Sequence, residues 1–94
     1  MNVSINVTVT DSDGACVFNE NVQPSSQSLD AVLFDFNPTS NPHVATIKAL
    51  HAGLIQMMNE VRSDGTPAQA RAASIAITEL EGAQMRAVKA LFAK

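Results

Sequence analysis

Residues 41–69 read NPHVATIKALHAGLIQMMNEVRSDGTPAQ, and this stretch decides the fold. It opens on Asn41, a favoured helix N-cap, followed by Pro42 at the first helical position, where the missing N–H costs nothing. Apolar residues then recur at three- and four-residue spacing, the period of an amphipathic helix. Residues 63–65 (SDG) end this helix, and residues 66–69 (TPAQ) open a second one with a capping box. The stretch therefore predicts an αα-hairpin.

The N-terminal part of the chain is typical of β-structure. Residues 1–10 alternate apolar and polar side chains, which predicts a half-buried strand with its valines and isoleucine on one face. Residues 11–14 (DSDG) predict a turn in which Gly14 is free to take a positive φ. A return strand is expected over residues 15–19 and a loop over residues 21–28. We interpret Val32–Phe36 as a third strand, with a short helical turn at residues 28–31 as the alternative.

Strands followed by helices favour an α+β fold, here an antiparallel β-meander of about three strands and then the helical hairpin. We expect one domain over residues 1–94, divided into a β-region (1–36), a loop (37–42) and a helical hairpin (43–94). The second helix carries an alanine-rich face that lets another helix approach closely. Because so short a chain buries only a thin core, we expect a homo-oligomer that forms through the helices.

The charge is unevenly distributed along the chain. Residues 1–47 contain five acidic side chains and no Lys or Arg, whereas residues 48–94 contain all six basic side chains and four acidic ones. Duplex nucleic acid requires a broad basic surface, which this chain cannot supply. A small anionic ligand needs only two or three well-placed cations, and the distribution is compatible with that.

Sequence patterns of common catalytic and metal sites are absent. The two histidines stand eight residues apart and far from the single Cys16, so no metal-ligand cluster is predicted. The four glycines are isolated, which argues against a phosphate-binding loop, and no cofactor is expected. No apolar run approaches the ~20 residues of a membrane span, and no signal-peptide pattern opens the chain. The sequence favours a binding protein over an enzyme.

Two stretches carry a resemblance to a known family. The first is FNPTSNP, residues 36–42, with Val44 and the IKAL of residues 47–50 after it; the second is RAASIAITELEGAQM, residues 71–85, continued by AVKAL. Together they resemble the small phage proteins of the anti-Thoeris and anti-CBASS sponge families, over about residues 32–92. These families share a helical-hairpin domain, and the anti-Thoeris branch places a small β-region before it.

The resemblance implies a non-enzymatic protein that assembles as dimers or hexamers. Such proteins act in the cytoplasm of the infected bacterial host. There they sequester glycocyclic ADP-ribose and, in some members, cyclic di- or trinucleotides.

The resemblance also assigns ligand-binding residues. Lys48 matches a lysine that meets a ligand phosphate, and Arg71 matches an arginine that contacts cyclic trinucleotides at a separate site. Phe36 and Asn37 lie where the family's pre-helix loop approaches the ligand. The chain departs from the family at Arg86, which replaces a frequent aromatic residue, and in its lack of a base-stacking tyrosine. That role would fall to Phe36 or Phe34.

Several of these residues have alternative interpretations. Lys48 stands at the edge of the apolar stripe of the first helix, where we expect its ammonium to reach solvent at the rim of a groove. The aliphatic part of its side chain then either covers the apolar stripe or forms part of a ligand site. Arg71 and Arg86 lie on a basic face of the second helix that is either solvated or part of an anion site. The competing hypothesis for the whole chain is an oligomeric structural or protein-interaction module without a nucleotide ligand; a nucleic-acid binder ranks third.

Overall fold

The computed structural model describes residues 3–38 and 40–93. Strands β1 (Ile5–Thr10) and β2 (Cys16–Val22) come first, followed by helices α1 (Ser26–Ala31), α2 (Pro42–Asp64) and α3 (Pro67–Phe92). Residues 1–2 of the predicted first strand, Thr39 of the predicted loop and Lys94 at the end of the predicted hairpin lie outside the described residues. The α+β class is confirmed, with two strands in the described sheet instead of three.

The helical hairpin is built as the cap residues predict. The Asn41 side chain accepts hydrogen bonds from the backbone N–H groups of His43 and Val44, and this caps α2. Thr66 and Gln69 form a complete capping box at the start of α3. Between the helices, a Cβ on Gly65 would lie 2.6 Å from the backbone oxygen of Val61, so this turn requires glycine. The two long helices therefore meet at a sharply defined turn.

Strands β1 and β2 form an antiparallel hairpin, with Ile5 opposite Val22 and Val9 opposite Phe18. Its turn follows the predicted chemistry: the Asp11 carboxylate accepts hydrogen bonds from two backbone N–H groups, and Gly14 has a φ of 84°. The return strand runs three residues beyond its predicted end. The apolar face of the β-hairpin is covered only at the end where Ile5 and Val22 pack on Gly53. The prediction that the first strand is half-buried along its whole length was therefore wrong.

The predicted third strand at Val32–Phe36 is wrong, and the helical alternative is correct in kind. Ser25 caps α1, and Ser28 on its first turn is fully buried against Gln56 of α2. Helical spacing places Leu29 and Val32 on the same side, and both are buried. In an extended strand, Val32 would instead have lain on the same face as Phe34. Burial of Leu29 and Val32 against α2 therefore outweighs the β-propensity of this segment.

The core is thin, as a short alanine-rich chain predicts. Its central cluster is formed by residues from α1, α2 and α3 together with Val32: Leu29, Val32, Ala52, Ile55 and Ile77. The structure instead leaves a line of large apolar side chains exposed on α2. We call this line, formed by Leu50, Leu54 and Met57, the α2 ridge.

Candidate functional site

The loop that joins α1 to α2 forms one wall of the candidate site. The side-chain amide of Asn37 donates to the backbone oxygen of Asn41 at 2.9 Å, and its oxygen accepts from the backbone N–H of Asn41 at 3.1 Å. Leu33 and Ser40 both have a φ of 52°, in the left-handed region that side chains rarely adopt. The conformation of this loop is therefore fixed by specific contacts and not by backbone preference.

Lys48 lies beneath this loop and not at a solvent-facing rim. Its residue is 4% exposed, and its ammonium donates to the backbone oxygen of Leu33 at 2.9 Å and to that of Phe36. The ammonium also lies 5.6 Å from the centre of the Phe36 ring. Burial lowers the pKa of Lys48 from its usual 10.5, because desolvation disfavours the charged form. The expected position of the ammonium at a solvent-facing rim was wrong, because the loop folds over the face of α2 from which the Lys48 side chain extends.

A slot opens between the loop and the ends of the two long helices. Its cavity volume is about 280 Å³, at the small end for ligand pockets, so it has room for part of a ligand. The lining comes from the loop, the first turns of α2 and the last turns of α3: Phe36, Asn37, Pro38, Val44, Lys48, Val88 and Phe92. We call this cavity the aromatic slot.

The chemistry of the aromatic slot suits a flat, largely apolar group. Phe36 is 67% exposed and Phe92 is 53% exposed, an unusual state for two phenyl rings that line the same cavity. The polar groups in the lining are already engaged, since Asn37 bonds to Asn41 and Lys48 bonds to two carbonyls. The slot can therefore bind a ring of a ligand by stacking and apolar contact.

The structure brings together three of the five predicted site residues, namely Phe36, Asn37 and Lys48. Arg71 lies near the other end of α3, about 30 Å from Phe92 at 1.5 Å per residue. It borders a larger concavity of about 660 Å³, but residues of a single helix line that surface, so nothing encloses it. Arg86 is exposed and lies over Gly82, about 120° around α3 from Phe92.

Sequence reasoning missed Val88 and Phe92, which form the α3 side of the slot. The predicted helical hairpin already implied that the end of α3 lies beside the start of α2. Because α3 retraces α2 in the opposite direction, its last turns must lie beside the first turns of α2. A phenylalanine at the end of α3 is therefore a neighbour of Val44 and Lys48, although about half of the sequence separates them.

Two further kinds of feature are absent from the described part of the chain. Over residues 3–38 and 40–93, no group of three or more His, Cys, Asp or Glu side chains is placed to hold a metal ion. None of the helices there has the length and apolar character needed to cross a membrane.

Comparison with known protein families gives a match over most of the chain. The family model described as "Acb2/Tad1, hairpin domain" matches residues 29–92, which is more than half of the chain and includes every residue of the aromatic slot. No curated protein and no solved structure matches. The match begins within α1 and ends at Phe92, so it takes in the loop and both long helices. The chain therefore belongs to the Acb2/Tad1 hairpin family of phage anti-CBASS and anti-Thoeris sponges.

Proposed function

We propose that this protein is a sponge that binds and sequesters a cyclic nucleotide immune signal without converting it. The candidate ligands are glycocyclic ADP-ribose and cyclic di- or trinucleotides, and the place of action is the cytoplasm of the infected bacterium. The observation that carries the proposal is the aromatic slot, which lies entirely within the residues that define the family. The competing hypothesis, a protein-interaction module, would also use exposed phenyl rings, so binding of a small cyclic nucleotide at the slot is what separates the two.

The mode of binding follows from the shape and chemistry of the slot. A base of the nucleotide enters between Phe36 and Phe92, where stacking contributes about 1–3 kcal/mol per base. The rest of the ligand stays outside, because the cavity is too small for a whole cyclic dinucleotide. Arg71 and Arg86 lie elsewhere on α3, so any phosphate contact they make belongs to a second site or to a site completed by another subunit.

The exposed α2 ridge supports the proposal that the sponge is a homo-oligomer, either a dimer or a hexamer. Leu50, Leu54 and Met57 follow one another at spacings of four and three residues, which aligns them along one side of α2. The ridge carries no charge. A second helix packed on it would bury the apolar surface that the thin core leaves uncovered.

The decisive experiment is calorimetry with a panel of cyclic nucleotides and their linear counterparts. We expect at least one cyclic compound to bind and its linear form to bind much more weakly. Phe36→Ala and Phe92→Ala should each weaken that binding by on the order of tenfold or more. Phe18→Ala is the matched control, since Phe18 is also exposed, at 51%, but lies on the β-hairpin. Binding that survives both slot variants would exclude the slot, and no binding by any compound would favour the protein-interaction module.

A further inference from the structure

Lys48 occupies a position that a phosphate-binding lysine would not be expected to occupy. Its ammonium has two backbone carbonyl partners from the loop, and only 4% of the residue is exposed. The two carbonyls take two of the three N–H donors of the ammonium, and the third is covered, so a ligand phosphate could reach it only after the loop had moved and the carbonyls had lost their donor. Since a carbonyl deprived of its buried donor costs free energy, that exchange opposes binding.

The two carbonyls belong to a turn that needs an external support. The backbone N–H of Phe36 donates to the oxygen of Leu33 at 2.9 Å, which closes the turn on itself. Leu33 has its left-handed φ of 52° in this same turn, a conformation that is unfavourable for a residue with a Cβ. The ammonium of Lys48 bridges both ends of the turn and offsets this strain.

Phe36 extends from the supported turn into the aromatic slot. Its ring is largely exposed, so few contacts of its own hold it there. The ammonium of Lys48 holds its backbone oxygen and lies 5.6 Å from the centre of its ring, within cation–π distance. The position of the ring therefore depends on a side chain that reaches it from below.

We propose that Lys48 is a positioning residue: it latches the turn from Leu33 to Phe36 and so holds the Phe36 wall of the slot, while the ligand contacts Phe36 and Phe92 and not the ammonium. The latch itself follows from the free protein. Its effect on ligand binding rests on the function proposed above.

The latch can be tested without any ligand. In the wild type, the Lys48 ammonium protons should be protected from water and visible in a ¹⁵N NMR spectrum at neutral pH, while those of exposed Lys89 should exchange away. In Lys48→Met, which keeps the apolar stem, amide exchange in residues 33–36 should accelerate by on the order of tenfold. Exchange in α3 should not change. An unprotected Lys48 ammonium, or unchanged exchange in the loop, would overturn the latch.

A double-mutant cycle tests whether Lys48 acts through Phe36. The probe is cyclic di-AMP, or glycocyclic ADP-ribose where that is the compound the wild type binds. Lys48→Met and Phe36→Ala should each weaken binding by on the order of tenfold, and the double variant should bind no more weakly than Phe36→Ala alone. General destabilisation or a separate phosphate contact would instead give additive losses.

The salt dependence separates the two roles of a lysine. A direct phosphate contact adds to the slope of log affinity against log salt, so its loss would make Lys48→Met less salt-sensitive than the wild type. The latch predicts equal slopes, and a reduced slope would overturn it. Failure of every nucleotide to bind would instead refute the proposed function, and the exchange measurements would still decide the latch.

Discussion

Leu33 combines an unfavourable backbone conformation with an exposed apolar side chain. It has a left-handed φ of 52°, and its large apolar side chain is exposed. Backbone strain of this kind persists only where surrounding contacts determine it, and it concentrates at functional sites. Here the contacts are hydrogen bonds to its backbone from Lys48 and Phe36. Part of the strain in this loop is thus located in the turn that carries the Phe36 wall of the slot.

Replacement of Leu33 should reveal that strain. Asparagine tolerates the left-handed region better than leucine, so we expect Leu33→Asn to raise the free energy of unfolding by about 0.5–1 kcal/mol. Urea unfolding of the two proteins provides the measurement, and Leu91→Asn, at an exposed helical position outside the α2 ridge, should give no gain. A loss of stability in Leu33→Asn would mean that the exposed side chain makes packing contacts and that the backbone is not strained.

The buried ammonium of Lys48 predicts a pH dependence of stability. Burial lowers its pKa in the folded protein, so between that value and 10.5 the unfolded chain binds more protons than the folded one. The free energy of unfolding therefore rises with pH in this interval. We expect the wild type to gain stability relative to Lys48→Met as the pH rises from neutral towards 10.5.

Chemical unfolding at several pH values tests this expectation, because the other titrating groups cancel in the difference between the two proteins. Lys89→Met serves as the control, since Lys89 is exposed and its difference from the wild type should stay flat. A flat difference for Lys48→Met as well would show that the folded environment does not disfavour the charge.

Among the helices and strands, cap chemistry was the most reliable predictor. Asn41, Thr66 and Gln69 make the predicted hydrogen bonds, since each of these is a local interaction between near neighbours. Val32–Phe36 was mispredicted because its conformation depends on what α2 offers to Leu29 and Val32, which local propensity does not contain. For the candidate site, Phe36 and Asn37 were named through the family resemblance and line the slot, whereas the position of Phe92 and the burial of Lys48 depend on tertiary packing.

The β-hairpin approaches helix α2 closely at Gly53. A Cβ on Gly53 would lie 2.8 Å from Cδ1 of Ile5 and 3.8 Å from Cγ1 of Val22, so a large side chain has no room there. A two-stranded hairpin is marginal by itself. We expect Gly53→Leu to release the hairpin while α2 and α3 stay folded, with much faster proteolysis and amide exchange over residues 5–22.

Gly82→Leu is the matched control for this release. Gly82 is also a helical glycine, but a Cβ there would meet only the Arg86 guanidinium, at 3.6 Å or more. In Gly82→Leu, the backbone amides of the β-hairpin should exchange at the wild-type rate. Protection of residues 5–22 that survives in Gly53→Leu would show that the hairpin is held by contacts other than those of Ile5 and Val22.

Across the whole molecule, the described residues bury a thin core and expose an apolar α2 ridge, and a second copy of the chain would relieve that imbalance. We expect the wild type to be at least a dimer at micromolar concentration. Leu54→Asp should shift the assembly toward monomers and raise its dissociation constant by on the order of tenfold or more, because a carboxylate would be buried without a partner at the centre of the ridge. Light scattering over a concentration series measures both quantities.

Ile75→Asp separates assembly from a general effect of charge. Ile75 is 54% exposed and Leu54 is 47% exposed, but Ile75 lies beside Arg71 on α3, away from the ridge. The substitution should leave the mass of the assembly unchanged. A monomeric wild type would contradict the oligomer, and equal effects of the two substitutions would show that the subunits meet through some other surface.

If Leu54→Asp gives a folded monomer that binds the nucleotide as tightly as the wild type, the aromatic slot is complete within one chain. If the monomer binds more weakly, the second subunit contributes to the site.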